Sequence, residues 1–302
     1  AGHPAFGYAR GTVGARATRD PGGDSVQSVA AIRDGLVRRR RYAAAGAFST
    51  IAATIRSREL VRVSYDGQDW RHAWGDSCTV YSAVPWSDPR QLTEQFQPLF
   101  FHAYRPGPGD VVVDCGAGIG TEIGILSRLV GASGRVIAIE AGPDACRRLS
   151  RMVGDLPLRN VETVQAAVSD WSGDGRFGTT DVIDGVNDAL VRAGADATSA
   201  SGTVQVATLE EVLGARGVDR IDYLRMNIEG EEARALRGLG GRLSDVRNVC
   251  VSCHDFTGRP GDATHDEVRA LLAENGFEIS GFPAAAPGSA AAFYVFGRRP
   301  AS

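Results

Sequence analysis

Apolar positions along this chain fall into two patterns. Between 111 and 140 they form unbroken runs, VVVDC and RVIAIE, as expected of strands buried on both faces of a parallel sheet. Each run leads into apolar residues at helical spacing: Ile123, Leu126 and Val130 after the first, and the stretch 144–153 after the second. The rhythm continues downstream. VETVQAAVSD reads as a third strand with its trailing turn, and Thr208 with Glu211 spells a capping box that opens a short helix through Leu213. IDYLRMNIEGEE reads as a buried strand running into an acidic helix start, and NVCVSCHDF as the next strand. Thr264 and Glu267 spell a second capping box for the helix DEVRALLAENG, which stops at Gly276. FEISGF and AAFYVFG form a closing hairpin. This alternation predicts an α/β fold, a mostly parallel twisted sheet with helices on both faces and a C-terminal antiparallel hairpin.

The N-terminal third follows a different pattern. Residues 24–58 read as one or two helices, and Glu59–Val84 alternates with period two around Asp66-Gly67, a strong hairpin signal. Trp70, Trp74, Tyr81 and Trp86 are expected to cover the sheet or the mouth of a cleft. Gln91–Tyr104 reads as a helix that ends before Pro106-Gly107-Pro108-Gly109. The expected organisation is a loosely packed leader with helices over 1–58, a hairpin and helix covering the cleft over 59–104, and a ligand-binding domain over 105–302. The glycine-, alanine- and aspartate-rich stretch 172–203 reads as an inserted loop or hairpin.

Composition narrows the chemistry. All 33 basic residues among the 302 are arginine, which removes Schiff-base lysine chemistry and the lysine of a phosphate-binding P-loop. A net charge of −3 gives no electrostatic case for nucleic acid. Five scattered cysteines suggest a reducing compartment, and no apolar run is long enough to span a membrane, so a cytoplasmic protein is expected. Cys250-Val251-Ser252-Cys253-His254 spells a haem-attachment motif, but the alternation of that strand sends the two cysteines to opposite faces.

The segment VVVDCGAGIG holds the main chemical signal. A strand ends at Asp114, glycines follow at 116, 118 and 120, and a helix opens after them: the nucleotide-binding corner of a doubly wound sheet. The glycine spacing departs from the dinucleotide fingerprint. An acid at Asp114 would repel a pyrophosphate but could bond the ammonium of an amino acid, a group that S-adenosylmethionine carries. Glu140 ends the next strand, where a carboxylate would meet ribose hydroxyls. The spacing therefore points to adenosylmethionine, with a nicotinamide-dependent oxidoreductase as the alternative.

VVVDCGAGIG, VIAIEAGPDA, VQAAVSD, VATLEEVL, IDYLRMNIEGEEARALRGL and the late strand with His254 together resemble the FkbM-type methyltransferases, over roughly residues 95–297. The resemblance implies a Rossmann-like class I methyltransferase fold, adenosylmethionine as cofactor, and O-methylation of a hydroxyl on a sugar, polyketide or related small molecule. The cofactor-contacting set expected on this basis is Asp114, Cys115, Gly116, Ala117, Gly118, Gly120, Glu140, Ala141, Ala167 and Asn227. Two departures stand out. Arg225-Met226-Asn227 replaces the family's Lys-x-Asp, which leaves open a catalytically weak cofactor-binding module. Glu140-Ala141-Gly142-Pro143 replaces Glu-Pro and is expected to lengthen a turn.

An alcohol acceptor needs somewhere to leave its proton. The strand ends bordering the crevice offer Asn227, Glu229 and Glu232 on one side and His254 and Asp255 on the other. His254 is the candidate base if its imidazole is neutral near pH 7; a histidine hydrogen-bonded at a strand end is the competing explanation. Glu229 and Glu232 equally suit the first turn of a helix. Asn227 and Asp255 leave a magnesium ion open, and a homo-oligomer is also left open.

Overall fold

A computed structural model of the protein describes residues 23–84, 96–178, 189–190, 202–258, 261–283, 285 and 288–300. The leader, Trp86, the start of the helix expected from Gln91 and most of 179–201 lie outside the described residues. The chain divides into two compact units with the boundary at 92–93.

The first unit holds α1 (Gly23–Arg38), α2 (Tyr42–Ser57) and a three-stranded antiparallel meander of β1 (Val61–Tyr65), β2 (Trp70–Trp74) and β3 (Ser77–Tyr81). Asp66-Gly67 makes the first turn, where the Asp66 carboxylate accepts the N–H groups of Gln68 and Asp69. The edge of β1 is covered from the side. Thr50 Oγ1 accepts the Val63 N–H at 2.8 Å, and Thr54 Oγ1 accepts the Val61 N–H at 3.1 Å. Two threonines one helical turn apart thus satisfy an edge that would otherwise be free to pair with another chain. Trp70 is buried beside Tyr65 and Tyr42 in this unit.

The second unit contains a seven-stranded sheet. Its strands are β4 (Val111–Cys115), β5 (Arg135–Glu140), β6 (Val161–Gln165), β11 (Ile221–Met226), β12 (Val246–Ser252), β13 (Glu278–Ser280) and β14 (Tyr294–Arg298), in the order β13-β14-β12-β11-β4-β5-β6. Neighbours from β12 to β6 pair parallel, and β14 runs antiparallel to both β12 and β13. Strand order reverses between β4 and β11, so the carboxyl ends of those strands flank the crevice where such sheets take their ligands. The connecting helices are α3 (Ile123–Val130), α4 (Pro143–Asp155), α5 (Leu209–Gly214), α6 (Glu232–Arg237) and α7 (His265–Glu274). The continuous apolar runs are buried on both faces as expected: every residue of β11 is buried, as are Val112–Cys115 and Val136–Glu140.

Three placements depart from the pattern expected. Residues 96–104 pack on the large sheet within the second unit: the Tyr223 hydroxyl donates to the Phe100 carbonyl, and the Tyr104 ring lies 5.8 Å from that of Tyr223. VETVQAAVSD is two strands, not one. After β6 the chain turns at Ala166, and β7 (Ala167–Ser169) joins a separate sheet with β8 (Gly173–Gly178), β9 (Ala189–Leu190) and β10 (Gly202–Thr208). β10 pairs antiparallel with β8, so the insertion is closed by a hairpin-like pair. The third concerns Thr264. The Thr208–Glu211 box forms as expected, but the Thr264 hydroxyl donates instead to Glu232 Oε2 at 2.9 Å.

Candidate functional site

The three glycines after β4 serve three different purposes. A Cβ on Gly116 would lie 2.0 Å from the Asn227 carbonyl oxygen, so this glycine allows the ends of β4 and β11 to close together. A Cβ on Gly120 would lie 2.3 Å from Met152 Cε and 2.7 Å from Leu149 Cδ1, so this one seats the turn against α4. Gly118 differs. At φ +56° it occupies the left-handed region and nothing lies within 4 Å of its Cβ position. Of the three, only Gly118 has open space where a side chain would be.

Glu140, at the end of β5, reaches back over this turn. Its Oε2 accepts the Gly118 N–H at 2.8 Å and its Oε1 the Gly142 N–H at 2.7 Å. Gly142 then leads directly into Pro143 at the first turn of α4, so the added Ala-Gly supplies a braced bend. Ala141 packs against the buried cluster of Ala167, Val204 and Val206, which brings Ala141 and Ala167 together beside the crevice. Cys115 and Ala117 are buried, and Cys115 belongs to the main apolar core, so neither side chain faces a ligand. Burial pushes the Cys115 thiol well above its usual range, the opposite of a reactive thiolate.

Asp114 is fully buried, and its Oδ1 accepts from Arg225 Nη1 at 2.6 Å. The guanidinium lies over the Phe100 ring at 4.1 Å and has Glu122 Oε2 4.0 Å from its other amino group. Asp114 is thus partnered inside the sheet by Arg225 through one of its two carboxylate oxygens. Its charge is neutralised there, so it does not argue against a phosphate. Asp114 Oδ2 and Arg225 Nε are buried without a hydrogen-bond partner. The groups that fit an adenosyl cofactor are the open Gly118 backbone and the Glu140 carboxylate above it.

Across the switch point the strand ends carry a second charge cluster. His254 Nδ1 lies 2.7 Å from Glu232 Oε1, and Nε2 lies 3.2 Å from Glu229 Oε1. Glu232 is fully buried and also accepts the Gly230 N–H at 3.1 Å and the Thr264 hydroxyl. Burial works against charge on His254, but its hydrogen bonds to Glu229 and Glu232 outweigh it and raise the pKa to about 10. The neutral imidazole expected from sequence is thus an imidazolium, which has no lone pair to accept a proton. Glu229 is the most exposed of the three side chains, at 13 % against 4 % for His254 and 0 % for Glu232.

Asn227 donates its backbone N–H to the Cys115 carbonyl at 2.9 Å and is part-buried at the end of β11. Asp255 accepts the N–H groups of Thr264 and His265 at 3.0 and 3.1 Å, which makes it the cap of α7 that Thr264 was expected to be. Both bonds fall on Oδ2 of the Asp255 carboxylate. Among the described residues no group of three or more His, Cys, Asp or Glu side chains is arranged to hold a metal ion. Sequence reasoning missed Glu122 and Thr264 as members of these clusters. A helix-opening acid and a capping threonine look ordinary in sequence, and no local signal marks them.

A sequence profile described as the Methyltransferase FkbM domain matches residues 114–279, more than half of the chain. The AMB antimetabolite synthetase AmbE of Pseudomonas aeruginosa is 27% identical over 213 residues, which cover 57% of this chain and 10% of that protein. An uncharacterised 37.1 kDa protein in transposon TN4556 of Streptomyces fradiae is 33% identical over 67 residues, which cover 22% of this chain and 19% of that protein. The chain thus spans only a tenth to a fifth of the length of these relatives. Among solved structures, the FkbM methyltransferase of Methylobacillus flagellatus KT aligns at 16% identity and a TM-score of 0.45, covering 70% of this chain and 50% of that one. Among the described residues no helix is long and apolar enough to cross a membrane.

Proposed function

Because the chain belongs to the FkbM methyltransferase family, we propose that it transfers a methyl group from S-adenosyl-L-methionine to a hydroxyl of a small molecule or glycosylated metabolite. The single observation that carries this reading is the braced turn at the end of β4. Gly118 faces open space while Glu140, at the end of β5, holds its N–H, which supports reading that carboxylate as the partner of ribose hydroxyls. Binding would exchange those backbone bonds for bonds to the ribose, with Ala141 and Ala167 lining the same edge.

The bound cofactor supplies an already activated methyl group, so the chain has to position an acceptor, exclude water and receive a proton. Glu229 is the group suited to receiving it. The Glu229–His254–Glu232 cluster has two carboxylates and one imidazolium, hence one surplus negative charge, and an incoming proton on Glu229 cancels that surplus. His254 holds Glu229 in place through Nε2, and Glu232 holds His254 through Nδ1. His254 is in this reading a positioning residue.

Titration calorimetry with adenosylhomocysteine and with NADH tests the proposal. Binding of adenosylhomocysteine alone supports it, and binding of NADH alone overturns it in favour of hydride transfer.

A further inference from the structure

One face of α2 joins the fold and the other is left bare. A Cβ on Gly46 would lie 2.9 Å from the Val63 carbonyl oxygen, and Thr50 and Thr54 accept the N–H groups of Val63 and Val61, so this side of the helix lies against β1. The opposite side carries Ala44, Phe48, Ile51 and Ile55, which are spaced to line up along the helix. A surface helix ordinarily turns polar residues to water at such positions. Here Ile51 is 60% exposed and Ile55 74%, and Leu60, just beyond the helix, is 69% exposed. Of the five large hydrophobic side chains exposed among the described residues, these three fall within ten positions. Single exposed apolar side chains need no explanation, whereas a group of them marks an interaction surface.

The charge around this stripe has one sign. Arg38–Arg41 precede α2, Arg56 and Arg58 close its C-terminal end, and Arg62 stands on the adjoining β1. All seven arginines are exposed, and Glu59 is the one acid between 38 and 62. Seven arginines against one glutamate give the segment a net charge of +6, in a chain whose total is −3. Pairing α2 with a second copy of itself would set arginine against arginine at both ends in either orientation, so the charge opposes self-association. A protein helix would have to bring acids to both ends of the stripe. An anionic bilayer offers negative charge everywhere in its plane and an apolar layer just beneath, which suits protruding aliphatic side chains bounded by cations.

We propose that the exposed face of α2 docks on an anionic lipid bilayer, with Ile51, Ile55 and Leu60 entering the headgroup boundary and the arginines lying among the lipid phosphates. The contact is peripheral, since among the described residues no helix is long and apolar enough to cross a membrane. It is independent of the methyl-transfer reading, because none of these residues belongs to the turn at the end of β4.

The experiment is co-sedimentation of the full chain at low salt with vesicles of phosphatidylcholine alone and of an equal mixture of phosphatidylcholine and phosphatidylserine. It is run on the wild type, R38Q/R39Q and I51S/I55S, with gel filtration and thermal melts of each. The wild type is expected to sediment with the mixed vesicles only, and to be released by salt. R38Q/R39Q should bind roughly twentyfold more weakly, at about fivefold per arginine. I51S/I55S should lose about tenfold or more, and both variants should melt close to the wild type because the substituted side chains are exposed. A wild type that ignores the mixed vesicles overturns the proposal, and its binding to polyglutamate instead would assign the surface to an acidic protein. Undiminished binding by I51S/I55S also overturns it, since arginine attraction alone would then account for the adhesion. So does a wild type that elutes as a dimer and becomes a monomer in I51S/I55S, which would give the stripe to a second copy.

Discussion

Arg225 and Asp114 sit opposite one another on the neighbouring parallel strands β11 and β4, with Nη1 and Oδ1 2.6 Å apart and both side chains buried. The pair is the internal partner of a carboxylate that otherwise suggests a ligand. Removing one member of a buried ion pair leaves the other charged and desolvated, at about 3–5 kcal/mol, whereas replacing both with apolar groups is often close to neutral. Arg225→Met is therefore expected to destabilise the protein by that amount in urea unfolding, and Asp114→Leu added to it should recover most of the loss. A single variant as stable as the wild type would mean the pair contributes nothing to the fold.

The glycines after β4 allow a sharper contrast. Gly116→Ala places a methyl group 2.0 Å from the Asn227 carbonyl, a backbone atom without freedom to move away, and should destabilise by about 3 kcal/mol or more. Gly118→Ala meets nothing, so it should fold with a loss of roughly 1–2 kcal/mol from its left-handed backbone. Its affinity for adenosylhomocysteine should nevertheless fall about tenfold, equivalent to about 1.4 kcal/mol, because the methyl group would intrude where the proposed cofactor would lie. Melts and calorimetry on the two variants check this, and equal affinity in Gly118→Ala would remove the ligand from that turn.

The charge state of His254 has a measurable consequence. Its folded pKa is raised from 6.5 to about 10, against the desolvation of burial, by hydrogen bonds to Glu229 and Glu232. A histidine that holds its proton more tightly when folded contributes stability in full below pH 6.5 and loses it as pH rises towards 10. Stability from this group should therefore decline between pH 6.5 and 10, and His254→Ala should flatten the decline while lowering stability overall. Glu232 works on the acid side: burial alone would raise its pKa, but its bonds to His254 and the Gly230 N–H outweigh that and lower it, so its contribution is lost as pH falls below about 4.5. Urea midpoints measured across pH for the wild type and His254→Ala decide the matter, and parallel profiles would contradict the imidazolium.

Glu140 links fold and ligand more directly. Glu140→Ala leaves the Gly118 and Gly142 N–H groups without their carboxylate and removes the expected ribose partner. Adenosylhomocysteine affinity should drop by tenfold or more, about 1.4 kcal/mol, with a modest loss of melting temperature. Calorimetry showing full affinity in the variant would place the ribose elsewhere.

What the sequence disclosed was what short-range pattern encodes. The run Val111–Cys115, the glycines and the spacing of Ile123, Leu126 and Val130 made the strand, turn and helix legible, because both burial and turn chemistry act within about twenty residues there. The relationships that define the site are long-range. Arg225 and Asp114 are 111 residues apart, Thr264 and Glu232 are 32 apart, and no periodicity reports which side chains a parallel sheet brings together. The misreading of Thr264 shows the limit well: the spacing of a capping box was present, but tertiary packing gave the hydroxyl to Glu232 and the capping to Asp255. His254 was picked out by position, and its charge became readable only once both ring nitrogens were seen to face carboxylates.

The account rests on a methyl donor lying over the turn at the end of β4. Hydrogen–deuterium exchange of the full chain with and without adenosylhomocysteine measures this at the backbone itself. The prediction is that amides 116–120 and 140–142 slow on addition of adenosylhomocysteine and are unaffected by NADH. Unchanged exchange in those two segments, or slowing by NADH instead, would contradict it.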